Sequence, residues 1–120
     1  MGTSNQTILF KVCEAIQGKK GDDITIVDVS KISTFADFFV ICHGHNDKQN
    51  QAICDEILSR LKEDVHQTPT HVEGYQHAEW ILMDYLDIVI HIFSDQTRSL
   101  YNLESLWSDG LVVNLAVPTT

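Results

Sequence analysis

Ile8, Leu9, Val12, Cys13 and Ile16 recur at helical spacing after the polar start Ser4-Asn5-Gln6, and Gly18 and Gly21 supply stop signals, which predicts a helix running to about Lys20. The β-branched run Ile24-Thr25-Ile26-Val27-Asp28-Val29 predicts a strand, followed by a connector containing Ser30 and Ser33. Residues 37–42 are mostly apolar and predict a second strand placed centrally in a sheet, its end marked by His43-Gly44-His45. Asn46 with Gln49 resembles a capping box, and Ile53, Ile57, Leu58 and Leu61 line one face of a long helix through about Glu63. A short extended piece around residues 70–73 is closed by Gly74, two strands follow at about 79–84 and 87–93, and residues 96–107 read as helical. The order α-β-β-α-β-β-β-α predicts an α+β fold, a mixed β-sheet with one layer of helices packed on it.

The second hairpin carries the most information. A two-residue turn at Tyr85-Leu86 would pair Asp84 with Asp87, Leu82 with Val89 and Trp80 with His91. Alternation then puts Ile81, Met83, Ile88, Ile90 and Ile92 on a core face, and Trp80, Leu82, Asp84, Asp87, Val89, His91 and Phe93 on the other. Burying two unpaired carboxylates would cost several kcal/mol, so the second face should be at least partly open. Tyr and Leu are unusual in a tight turn, which favours Gly, Asn or Asp, and an exposed Tyr85 and Leu86 at the tip need a reason such as a protein-binding surface. The same pattern also fits a Trp80 packed under a loop with the aspartates capping the turn.

Composition narrows the function classes. Eight Lys plus Arg against 17 Asp plus Glu give a formal charge of −9, a surface that repels phosphate backbones and anionic membranes but complements a basic protein. The longest apolar run, residues 38–42, is far short of the roughly 20 residues of a membrane-spanning helix. The first residues show neither a basic patch nor an apolar signal core, and Cys13, Cys42 and Cys54 are widely spaced and odd in number, which fits a reducing cytoplasmic setting. Only Pro69 and Pro118 interrupt the chain and there is no repeat, so residues 1–120 read as a single domain.

The same features bear on three chemical possibilities. His43 and His45 alternate as paired metal ligands do, but no third ligand lies nearby in sequence, and a pair of solvated loop histidines accounts for them. Asp84 and Asp87 have the residue type of catalytic carboxylates, as in a divergent metal-dependent nucleotidyltransferase. The chain nevertheless has no glycine-rich phosphate loop, and no Lys or Arg lies between Lys62 and Arg98. Cys42 with His91 would need an orienting group, and the thiol sits in an apolar run. A non-enzymatic chain without metal or cofactor is the expectation.

Ala36-Asp37-Phe38-Phe39-Val40-Ile41 with Gly44, Gln49 and Ala52-Ile53, then Glu73-Gly74, Glu79-Trp80, Asp84-Tyr85-Leu86-Asp87 and Val89-Ile90-His91-Ile92-Phe93, and finally Arg98, Tyr101, Leu103-Glu104 and Leu106-Trp107, form an ordered set. This set resembles the ribosomal silencing factor family, also called Iojap-like, from the first helix to Trp107. The resemblance implies a nucleotidyltransferase-like fold without transferase chemistry and binding to the fourteenth protein of the large ribosomal subunit, which blocks subunit joining and represses translation. It also implies a homodimer, and a ribosome-facing surface at Trp80, Asp84, Asp87 and His91, on the hairpin face that alternation also selects. Leu82 and Tyr85 complete the expected partner-binding set. Two departures stand out: His43 and His45 replace small hydroxyl residues common around this glycine, and Leu86 replaces a glycine frequent at the turn.

Overall fold

A computed structural model of the chain describes residues 4–101 and 111–112. The first helix, α1, spans Asn5–Gly18 and starts where the Ser4 hydroxyl accepts the Thr7 backbone N–H at 3.2 Å. It buries Ile8, Leu9, Val12, Cys13, Ala15 and Ile16 on one face. Strands β1 (Asp22–Asp28) and β2 (Phe38–Gly44) pair antiparallel, and α2 (Asp47–Val65) follows. The Asn46 side chain caps α2 by accepting the Gln49 N–H at 2.8 Å, while the Gln49 side-chain oxygen accepts the His45 N–H at 2.7 Å. The Gln49 amide also donates to the carbonyls of Lys19 and Lys20, so one residue closes the start of α2 and fastens the end of α1.

The remaining elements are β3 (His71–Glu73), β4 (Trp80–Asp84), β5 (Ile88–Ser94), α3 (Asp95–Tyr101) and β6 (Leu111–Val112). The strand order is β3-β4-β5-β2-β1-β6, with β2 and β5 parallel and the other pairs antiparallel, so the fold is α+β with a mixed sheet, as the pattern predicts. Boundaries shift by a residue or two from expectation, with α1 stopping at Gly18, β1 starting at Asp22, β2 running on to Gly44, α2 to Val65 and α3 beginning at Asp95, and β6 adds a strand beyond the predicted order. The expected helical stretch from residue 102 to 107 lies outside the described residues.

One sheet face packs on α1 and α2. Ile81, Met83, Ile88, Ile90 and Ile92 are all on it and buried, joined by Val40, Cys42, Ile53, Ile57 and Leu61. Each such aliphatic side chain contributes about 1.5–3 kcal/mol through burial. Cys42 is wholly buried here and desolvation raises its thiol to about 12, which makes it an inert core group. The opposite face holds a smaller cluster of Val27, Val29, Ala36, Ile41 and Phe93, with Phe39, Trp80 and Val89 packed at its edge.

Candidate functional site

The β4–β5 ladder pairs Trp80 with Phe93, Leu82 with His91 and Asp84 with Val89, two residues out of the expected register. The turn is therefore Leu86-Asp87, closed by the Tyr85 N–H donating to the Ile88 carbonyl at 2.9 Å. A shift of two leaves every side chain on its expected face, because the strand period is two. It removes the expected Asp84–Asp87 pair: Asp84 faces Val89, and Asp87 sits exposed in the turn, where its carbonyl accepts the N–H groups of Asp37 and Phe38 at 2.8 and 3.0 Å.

Tyr85 is also corrected. Instead of standing exposed at the tip, it is 7% accessible and joins the helix-side core, because the shifted turn places it one step beyond Met83 on that face. Desolvation drives its phenol well above the usual range. Leu86 does stand exposed, at 61%, and has φ 74°, a left-handed conformation that costs a non-glycine residue about 1 kcal/mol or more. The Asp84 carboxylate holds that turn by accepting the Leu86 N–H at 2.8 Å, so one aspartate does cap the turn. A strained, solvent-facing leucine contributes little to folding, and such positions concentrate at functional sites.

Along the face, Trp80 is half-buried and stacks on Phe93 with ring centroids 5.2 Å apart. Its indole N–H donates to His91 Nδ1 at 3.0 Å. That bond puts the imidazole proton on Nε2, which is buried and has no acceptor among the described residues. His91 itself is only 4% accessible, packed edge-on against Phe39 at 4.9 Å. It is thus a buried support for Trp80 and Phe39 and not the surface residue the alternation implied. Leu82, Asp84 and Val89 remain half-exposed beside it.

Burial holds the His91 imidazole down to about 4, against an ordinary 6.5. Because the unfolded chain takes up this proton first, the stabilisation is complete above about pH 6.5 and is lost as pH falls toward 4, about 3 kcal/mol in all. His91→Phe should flatten this part of a stability–pH profile measured by urea unfolding. An unchanged slope between pH 6.5 and 4 would show that His91 is not buried neutral.

The far end of the face is closed by α3. Arg98, 7% accessible, donates to the Asp23 carbonyl at 2.8 Å and to His43 Nδ1 at 2.9 Å. His43 Nε2 meets Asp95 at 3.0 Å, and exposed His45 bridges Asp95 at 3.2 Å and Asp22 at 2.7 Å. The two histidines are therefore not free solvated loop residues but ties between β1, β2 and α3. Hydrogen bonds to Asp95 and then Asp22 raise the His45 pKa, so its small stabilising effect is present below pH 6.5 and fades as pH rises through the raised value. Sequence spacing does not reveal this network, because its partners lie 23 to 75 positions apart. What the network leaves accessible is the turn end of the face: Leu82, Asp84, Leu86, Asp87, Val89 and Phe39. Phe39 escapes a sequence reading because the apolar run containing it shows no alternation; its partner Val89 across the parallel ladder assigns its face.

The family described as "Ribosomal silencing factor during starvation" matches residues 3–119. A Bacillus subtilis protein named ribosomal silencing factor RsfS is 42% identical over 112 residues, 92% of this chain and 94% of that protein. A crystal structure from Bacillus halodurans superposes with a TM-score of 0.81 at 38% identity, covering 92% of this chain and 100% of that one. One from Chromobacterium violaceum gives a TM-score of 0.85 at 29% identity, covering 97% and 95%. With the family match spanning nearly the whole chain and a relative of the same family at 42% identity, the chain belongs to the ribosomal silencing factor family.

Proposed function

We propose that this chain represses translation by docking the turn end of the sheet face opposite α1 and α2 on the fourteenth protein of the large ribosomal subunit, where its bulk excludes the small subunit. The observation that carries the reading is the strained, exposed Leu86 flanked by Asp84 and Asp87: an apolar tip inside an acidic rim on a chain of net charge −9. Such a surface complements a basic protein electrostatically, which accelerates encounter and rejects acidic competitors. No turnover is involved. The competing nucleotidyltransferase reading needs two converging carboxylates, whereas Asp84 is engaged by the Leu86 N–H and Asp87 lies in the turn, not opposite it. The chain acts in the cytoplasm and forms a homodimer.

Calorimetric titration of the purified fourteenth protein tests the docking. Leu86→Gly should bind about thirtyfold more weakly while gaining about 1 kcal/mol of folding stability, because glycine relieves the left-handed strain and removes the apolar tip. Wild-type affinity in this variant would remove Leu86 from the contact; absence of binding by the unaltered chain would remove the fourteenth protein as partner.

A further inference from the structure

Among the described residues, the large apolar side chains that stand exposed are Leu86, Ile32 at 46% and Phe35 at 89%. Ile32 and Phe35 belong to the loop between β1 and β2, which is held by many internal bonds. The Val29 N–H donates to the Asp37 carbonyl at 2.8 Å, and the N–H groups of Ile32 and Ser33 donate back to Val29. The Ser33 hydroxyl oxygen accepts from the N–H groups of Phe35 and Ala36, and the Asp28 carboxylate accepts from the Ser30 backbone and hydroxyl. A loop ordered in this way has already met its conformational cost, yet it presents a phenylalanine to water, which adds nothing to folding.

Beside Phe35 is a pocket of about 310 Å³, lined by Val29, Ile32, Phe35 and Phe39 with Ser33 and Thr34 at its polar side. Phe39 belongs to two surfaces: it walls this pocket and packs against His91 on the hairpin face. The loop and the hairpin turn are also joined directly through the Asp87 carbonyl, which receives the Asp37 and Phe38 N–H groups. The pocket therefore adjoins the turn end of the docking face through Phe39. The segments that form the loop and the hairpin turn carry Asp28, Asp37, Asp84 and Asp87, against one cation, Lys31. The surroundings remain acidic.

Resting on the docking reading above, we propose that the pocket between Ile32, Phe35 and Phe39 is a second anchor for the same basic protein partner, receiving an apolar side chain accompanied by a neighbouring lysine or arginine. The preformed loop offers this contact with little ordering cost on binding, the condition under which a single aromatic residue weighs most in an interface.

Co-sedimentation of the full chain with purified large subunits tests it, with thermal unfolding and light scattering on each variant. Phe35→Ser is expected to weaken binding about tenfold or more, and Phe35→Leu by less than about threefold, with both melting like the unaltered chain. Wild-type affinity for Phe35→Ser alongside weakened Asp87→Lys would overturn the second anchor and leave the docking face intact. Absence of pelleting by the unaltered chain would overturn both. Loss of a homodimer in Phe35→Ser with undiminished ribosome binding would assign the pocket to a second copy of the chain and overturn the proposal.

Discussion

A Leu86→Lys/Asp87→Lys chain is expected to lose at least about a hundredfold in affinity for the large subunit while its melting temperature stays within about 2 °C of the original. Both side chains are exposed, and neither contributes to the hydrophobic clusters, so folding has little to lose. Lysine at position 86 meets the same left-handed conformation as leucine, leaving that strain unchanged. Removing an apolar anchor costs about 2 kcal/mol, and turning an acidic rim basic adds repulsion against a cationic surface. Together these exceed the roughly 2.7 kcal/mol of a hundredfold change. The salt dependence should change with them: association of the unaltered chain slows as ionic strength rises, whereas the variant loses that sensitivity. Equal salt slopes for the two chains would remove charge from the mechanism.

Trp80 is a poorer probe than its residue type implies. Trp80→Ala deletes a ring stacked on Phe93 and strips the buried His91 Nδ1 of its donor, so stability and binding fall together, the former by about 2–3 kcal/mol.

The largest stability effect is expected from Gly74→Ala, at about 3 kcal/mol or more. Gly74 has φ +80°, and a Cβ there would stand 2.1 Å from the Trp80 carbonyl oxygen, a backbone atom that no side-chain rotation can move. The left-handed conformation contributes about 1–2 kcal/mol and the overpacking about 1–3. The consequence reaches function, because this close approach fixes where β4 begins and thus how Trp80 and Leu82 are set into the sheet. Denaturant unfolding measures it directly. A loss below about 1 kcal/mol would mean that the loop before β4 moves aside freely.

Much of this was legible in the chain because alternation is robust. Ile81, Met83, Ile88, Ile90 and Ile92 remain on the core face whether the turn is at Tyr85-Leu86 or at Leu86-Asp87, since a slip of two positions preserves the faces. The turn position was only weakly marked, because Leu86-Asp87 offers a single Asp and neither candidate contains a Gly or Asn, and the deciding factor is tertiary: burial of Tyr85 among core residues. The depth of His91 was hidden for a related reason. Alternation assigns a side chain to a face but not its cover, and here Trp80, Phe39 and Phe93 supply that cover. The ties of His43 and His45 to Asp95, Asp22 and Arg98 depend on long-range packing that no local spacing encodes.

Reassociation of purified ribosomal subunits on a sucrose gradient, at physiological magnesium and with saturating protein, shows whether the chain blocks subunit joining. The joined fraction should fall as the chain occupies large subunits, and the Leu86→Lys/Asp87→Lys chain at the same concentration should leave joining intact. Undiminished joining while the protein sediments stoichiometrically with the large subunit would contradict steric blocking.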